Sequence, residues 1–248
     1  MSKSFFITGT DTDAGKTEIT LALMRAIQSR GNIVSGYKPI ACGGTKVSAL
    51  LQNPKLENPE LQNEDARRIM SQISSEFWDK AHINAQNRYS SVNPVLFEPP
   101  IAPHIAAAKA NAEINITDLI EGFKNISTVA DYTFVEGVGG WQVPLGNKKT
   151  TVDLVKALEV PVILVVGLKL GALNHALLTY QNIINSGVEC VGWVATVVDP
   201  EMTYVEENIE SLKQYLACPC LGVVPNIEVM STDKLIQYLE FDQVGRLL

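Results

Sequence analysis

No stretch of the chain is apolar for long enough to cross a bilayer. The longest runs, such as Pro161 to Gly167, fall far short of the roughly 20 residues a spanning helix needs. No cluster of Lys or Arg forms the basic face of a nucleic-acid-binding protein. The 20 basic residues stand against 27 acidic ones, a formal net charge of −7. Acidity of this size says little beyond solubility. Cysteine is sparse. Cys218-Pro219-Cys220 is too tightly spaced for a zinc site and has no second Cys/His pair, so the four cysteines read as reduced thiols in the core or at the surface. After Met1-Ser2-Lys3-Ser4 only three apolar residues, Phe5, Phe6 and Ile7, precede Thr8-Gly9, which fits no secretory signal. The expectation is a soluble cytoplasmic protein with no membrane and no nucleic-acid partner. Internal repeats and linkers are also absent, so residues 1–248 read as one domain. With 46% apolar and 19% charged residues the chain is neither collagen-like nor disordered.

What is present is alternation. Phe5-Phe6-Ile7 leads into a glycine-rich segment. Leu21, Met24 and Ile27 then fall at helical spacing between Thr17 and Arg30, and Gly31 stops that helix. Ile33 to Tyr37 reads as a second strand. Asn63 opens a helix through Ile73, after a polar, proline-broken loop. An alanine-rich helix begins at His104. Tyr132 to Val135, Val162 to Val166, Val191 to Val198 and Cys220 to Val224 are continuous apolar strands. Strands apolar on both faces suit a parallel sheet covered on two sides. The fold class is α/β: a doubly wound, mostly parallel sheet with helices on both faces.

Three motifs fall where such a fold would place a ligand. Gly9-Thr10-Asp11-Thr12-Asp13-Ala14-Gly15-Lys16-Thr17 lies between a strand and a helix, as a phosphate-binding P-loop does. Five residues rather than four separate Gly9 from Gly15. Gly15 allows close backbone approach, the helix start aims N–H groups at phosphate oxygens, Lys16 neutralises phosphate charge and the Thr17 hydroxyl suits Mg²⁺. Gly36-Tyr37-Lys38-Pro39 puts a second lysine at the end of the second strand, on the same edge of a parallel sheet. Glu136-Gly137-Val138-Gly139-Gly140 puts a carboxylate at the end of another buried strand, a common place for a Mg²⁺ ligand.

With these motifs the sequence resembles the dethiobiotin synthetase family, P-loop enzymes related to MinD/ParA-like ATPases. Val92-Asn93-Pro94, Ala102-Pro103-His104, Trp141, and Val165 to Gly171 followed by Asn174-His175-Ala176 extend the match over most of the chain. The resemblance implies a C–N bond-forming ligase that takes 7,8-diaminopelargonic acid, CO₂ and ATP with Mg²⁺. It also implies residue roles. Asp13, Ala14, Gly15, Lys16, Thr17 and Glu18 bind ATP, with Asp65, Glu136, Gly137, Val138 and Gly139. Thr17, Asp65 and Glu136 ligate Mg²⁺, with Glu64 the alternative to Asp65. Lys38 and Lys16 are catalytic. Thr12 and Cys42 touch substrate, although a thiol stands at Cys42 where the family has a small hydroxyl residue. Adenine is met by Asn174, His175 and the turn Pro225-Asn226-Ile227. Read without the family, His175 is equally a packed core histidine, Asn174 a helix cap and Trp141 a packing residue.

The family further implies a homodimer whose partner chain completes the site. Thr150 and Thr151 precede an apolar-periodic run, Val152, Leu154, Val155 and Leu158, and read as a capped helix start. Backbone N–H groups at Thr150, Thr151 and Val152 suit the far carboxylate of the substrate. A MinD/ParA-type switch ATPase is the alternative. Its P-loop begins with a lysine where Gly9-Thr10-Asp11 stands here, and its tail is often basic, whereas Asp233, Glu240 and Asp242 sit in this one.

Overall fold

The computed structural model describes residues 2–46, 61–225, 231–240 and 243–245. Six strands form one parallel sheet in the order Cys220–Val224, Cys190–Val197, Val162–Leu168, Lys3–Gly9, Tyr132–Glu136, Val34–Tyr37. The chain leaves Lys3–Gly9 for the Val34–Tyr37 edge, returns to Tyr132–Glu136, then crosses to the other side of its first strand. Lys3–Gly9 therefore sits where the winding reverses, the place at which open α/β sheets bind ligands beyond their carboxyl ends.

Both sheet faces are covered, as the apolar strands predict. Gly36 and Tyr37 are consecutive and so point to opposite faces. A β-carbon at Gly36 would collide with Ile69 of the helix Glu64–Gln72 and lie 3.2 Å from Met24 of the helix Lys16–Gln28. Tyr37 instead donates its hydroxyl to the Leu119 carbonyl at 2.9 Å and packs on Phe123, both in the helix Ile116–Ser127. The first helix stops two residues short of the expected Arg30, and Gly31 follows it with a φ of 82°, a left-handed conformation that glycine adopts freely. The alanine-rich helix starts at Pro103, whose missing N–H is no loss at a first helical position. Asn63 caps the helix Glu64–Gln72 by accepting from the Ala66 N–H at 3.2 Å.

One pairing was not legible in advance. Ile40–Cys42, just beyond Lys38, pairs in parallel with Val95–Phe97 and forms a second small sheet. Thr45–Lys46 pairs with Leu61–Gln62, so the long polar loop leaves and rejoins the fold at one place. Residues 47–60 of that loop lie outside the described residues.

Gly36→Ala tests the tight helix-to-sheet contact. Overpacking at Ile69 should lower stability by about 1–3 kcal/mol. Urea unfolding should show a lower midpoint with an unchanged slope.

Candidate active site

The loop after Lys3–Gly9 is shaped by its own backbone. Gly15 has φ 83° at the start of the helix, and Asp13 is also left-handed at φ 58°. Close packing seats the loop on the neighbouring strands. The Ala14 carbonyl accepts from Thr196 Oγ1 at 2.7 Å, and the Gly167 N–H donates to Thr10 Oγ1 at 3.2 Å. A β-carbon at Gly167 would come within 3.2 Å of the Ala14 backbone. Lys16 folds back over the loop and donates to the Asp11 carbonyl at 3.0 Å. Burial lowers its pKa, against the raising influence of Glu136.

Glu136 is the electrostatic centre. It ends the strand next to Lys3–Gly9 and is 0% exposed. Its Oε1 accepts from Thr17 Oγ1 at 2.9 Å and from Lys38 Nζ at 2.5 Å. Lys38 Nζ also lies 3.4 Å from Asp65 Oδ2. Burial works to lower the Lys38 pKa, but the two carboxylates outweigh it and the net direction is upward. Glu136 Oε2 has no hydrogen-bond partner although it is buried. Such an orphaned carboxylate oxygen beside a hydroxyl and a second carboxylate fits a hard, oxygen-seeking cation such as Mg²⁺.

A hydrogen-bonded chain fixes Lys38 relative to Asp65. The Asn63 backbone N–H donates to Tyr89 Oη at 2.7 Å, and Tyr89 Oη donates to Asn93 Oδ1 at 3.0 Å. Asn93 Nδ2 then donates to the Lys38 carbonyl at 2.7 Å. The Lys38 N–H donates to the Val92 carbonyl at 2.9 Å. The Asn93 motif thus acquires a physical role: it holds the backbone of the buried lysine.

One cavity of about 1400 Å³ brings together Thr12 through Glu18, Lys38, Cys42, Asp65, Glu136, Val138 and Gly139. Asp65 lines it, whereas Glu64 is exposed and outside it. Burial pushes the Cys42 thiol up, against the nearby Lys38 charge. Gly137 does not line the cavity; a β-carbon there would meet the Phe6 ring at 2.9 Å, so it serves packing. Asn174 and His175 are exposed on the helix Ala172–Asn185, outside the cavity lining. The core reading of His175 is therefore wrong, and Gly171 rather than Asn174 occupies the cap position of that helix. Trp141 is buried, as its packing role required, with Nε1 donating to Asn182 Oδ1 at 2.9 Å. Pro225 is described but does not line the cavity, and Asn226 and Ile227 lie outside the described residues.

Thr150 caps the helix Thr151–Leu158 through a capping box with Asp153. That changes what the helix start can offer. The Thr150 N–H donates to Asp153 Oδ2 at 2.8 Å and the Thr151 N–H donates to the Val143 carbonyl at 3.0 Å. Thr151 Oγ1 also donates to the Trp141 carbonyl. Of the three expected N–H donors, two are engaged within the chain, which leaves the Val152 N–H to offer.

Two ion pairs at the cavity were missed in sequence. Lys169 Nζ bridges to Asp11 Oδ2 at 2.7 Å, and Arg68 holds both Glu18 oxygens at 2.6 and 2.8 Å. Lys169 follows the strand Val162–Leu168 as Lys38 follows Val34–Tyr37, so the strand-end rule that found Lys38 also points to it. Arg68 lies three residues beyond Asp65, on the same helical face.

A parallel sheet, a glycine loop entering a helix at Lys16-Thr17 and a buried carboxylate on the adjacent strand end define a P-loop nucleotide-using enzyme. The chain matches the family described as AAA domain over residues 3–234. It is 43% identical over 239 residues to the ATP-dependent dethiobiotin synthetase BioD of Cellvibrio japonicus, covering 96% of each chain. Identity to the protein of the same name from Pseudomonas aeruginosa strain LESB58 is 39% over 243 residues, 98% of each chain. Among solved structures it superposes on the MinC:MinD cell division protein complex of Aquifex aeolicus, with TM-score 0.57, 14% identity, and 99% and 95% of the two chains covered. The cell division ATPase MinD of Pyrococcus furiosus matches with TM-score 0.54 and 14% identity over the whole of both chains. At that identity the likeness is one of fold. The chain belongs to the ATP-dependent dethiobiotin synthetase family.

Lys38→Met should leave the buried Glu136 carboxylate without its cation and lower stability at neutral pH by roughly 3–5 kcal/mol. The folded-state pKa of Lys38 is raised, so its contribution is full below the unfolded value near ~10.4 and fades as pH rises through the folded one. The stability gap between the two proteins, followed by denaturant unfolding, should accordingly narrow only in the alkaline limb.

Proposed function

We propose that this chain closes the cyclic urea of dethiobiotin from 7,8-diaminopelargonic acid, CO₂ and ATP, releasing ADP and phosphate. The overall reaction rests on the relatives' name. Its placement rests on one observation: the fully buried Glu136, with Thr17 and Lys38 on one oxygen and no partner on the other, directly beside the P-loop.

Chemically, one amine adds to CO₂ and gives a carbamate. A carbamate oxygen attacks the γ-phosphorus as the bond to ADP breaks. The second amine then attacks the carbonyl carbon of the mixed anhydride, and phosphate leaves as the ring closes. The protein's task is positioning and charge neutralisation. Lys16 offers charge to the β- and γ-phosphates, with the backbone of Asp13 to Thr17 around them. Lys38, held by Asn93, meets both the carbamate and the transferring phosphoryl group. Thr17, Asp65 and Glu136 would hold Mg²⁺, which supplies further neutralisation of the phosphate charge. Thr12 and Cys42 line the substrate side. The family resemblance would assign the adenine to Asn174 and His175, exposed beyond the cavity lining, and to Pro225, Asn226 and Ile227.

The same reading extends to a single synthetase domain, a cytoplasmic location and a homodimer. Among the described residues no helix is long and apolar enough to cross a membrane. Leu170 is 95% exposed and Leu178 60% exposed, apolar side chains that a contact between copies would cover. The partner's helix start would receive the substrate carboxylate at Val152. A MinD-type switch is disfavoured because Gly9-Thr10-Asp11 replaces that group's early lysine.

Incubation with MgATP, bicarbonate and diaminopelargonate should yield dethiobiotin and ADP by mass spectrometry; nucleotide turnover without dethiobiotin would contradict the reading. Lys16→Ala should slow the reaction by roughly 10²–10³-fold, the scale for losing a preorganised charge at the reacting group. Asp65→Asn should raise the Mg²⁺ concentration required for half-maximal rate, whereas Glu64→Gln should leave it unchanged.

A further inference from the structure

Cys190, Cys218 and Cys220 lie at the amino ends of the strands, opposite the P-loop. Cys190 begins the strand Cys190–Val197, and Cys218 precedes the neighbouring strand Cys220–Val224. Twenty-eight positions apart in sequence, their sulfurs stand 3.6 Å apart and share a weak S–H···S hydrogen bond. This is contact between thiols, not a disulfide, and all four cysteines are free. Both sulfur-bearing residues line a cavity of about 810 Å³ at the amino ends of the strands, with Lys3, Glu159 and Pro161 among its walls. The P-loop lies at the carboxyl ends, so nothing in the proposed reaction uses this dithiol.

We propose that Cys190 and Cys218 form a peroxide-oxidisable dithiol that closes reversibly to an intramolecular disulfide. Their adjacent strands hold the two sulfurs within a short movement of bonding, and the cavity gives a small oxidant a route to them. The Cys218 thiol donates the S–H···S hydrogen bond to Cys190 and is partly exposed, whereas Cys190 is buried. Cys218 therefore meets a small oxidant first and is the attacking thiolate, with Cys190 the resolving thiol. The Cys218 sulfur attacks one peroxide oxygen, the O–O bond breaks, and sulfenic acid and water result after proton transfer. The Cys190 sulfur then attacks the Cys218 sulfur. An S–S bond forms, the S–O bond breaks and a second water leaves, carrying the Cys190 proton. Two thiols are oxidised, and one hydrogen peroxide is reduced to two waters.

Cys220 does not compete on geometry. Only Pro219 separates it from Cys218, and its sulfur donates to the Gly222 carbonyl at 3.5 Å as that of Cys190 does to Gly192, but the sulfur contact of Cys218 is made to Cys190. Burial pushes its thiol up, as it does that of Cys42. Burial thus holds both back from forming the reactive thiolate.

The test uses the wild-type chain exposed to a small excess of hydrogen peroxide, then alkylated and mapped by mass spectrometry. The expected product has lost two hydrogens per chain and yields one cross-linked peptide pair joining Cys190 to Cys218, restored to free thiols by dithiothreitol. Cys220→Ser should give the same pair. Cys190→Ser should stop at a Cys218 sulfenic acid trapped by dimedone. Unreacted thiols at Cys190 and Cys218, a Cys218–Cys220 link, or a disulfide only between chains would overturn the proposal. The wild-type peptide map distinguishes these outcomes even if a variant fails to fold.

Discussion

A carboxylate buried without solvent is costly unless a cation and hydrogen bonds meet it, and the organisation of this protein follows from meeting that demand at Glu136. The strand that carries it lies between the P-loop strand and the strand of Lys38. Parallel pairing in register puts all three carboxyl ends on one edge, so Thr17 and Lys38 can both reach the same oxygen. The unpaired second oxygen leaves the group satisfied enough to persist and open enough to take a cation. Fold and chemistry are joined at this one atom pair.

The surrounding structure reads as support for that arrangement. Gly36 lets two helices press onto the Lys38 strand, and the second of them carries Asp65. Asn63 both caps the helix of Asp65 and enters the Tyr89–Asn93 chain that ends on the Lys38 carbonyl. The Lys38 backbone and the start of the Asp65 helix therefore cannot separate without disturbing buried hydrogen bonds. Residues far apart in sequence are held as one unit because the donors between them have no water to turn to.

Much of this was legible in the residues. Continuous apolar strands between helical segments announced the parallel sheet, and the strand-end positions of Lys38 and Glu136 announced the edge at which they meet. Asp65 was legible only as one of two adjacent carboxylates; the helix phase set by the Asn63 cap brings Asp65 to the cavity and turns Glu64 to solvent. Other features depend on contacts that no local pattern encodes. The pairing of Ile40–Cys42 with Val95–Phe97 joins segments far apart in sequence. The exposure of His175 depends on which face of its helix packs, and a single histidine carries no periodicity to reveal that. At Thr150 the cap forms as the residues predict, but Asp153 and the Val143 carbonyl occupy N–H groups that a ligand would otherwise meet.

The central proposal is that Lys38, paired here with Glu136, meets the carbamate and the transferring phosphoryl group beside a cation at Glu136 and Thr17. The most direct test is a crystal structure with Mg²⁺, a non-hydrolysable ATP analogue and diaminopelargonate bound. The account predicts Glu136 and Thr17 at the cation, and Lys38 Nζ between the γ-phosphate and the substrate nitrogens. A triphosphate lodged away from the P-loop, or a Lys38–Glu136 pair unchanged with the substrate distant from it, would contradict the account.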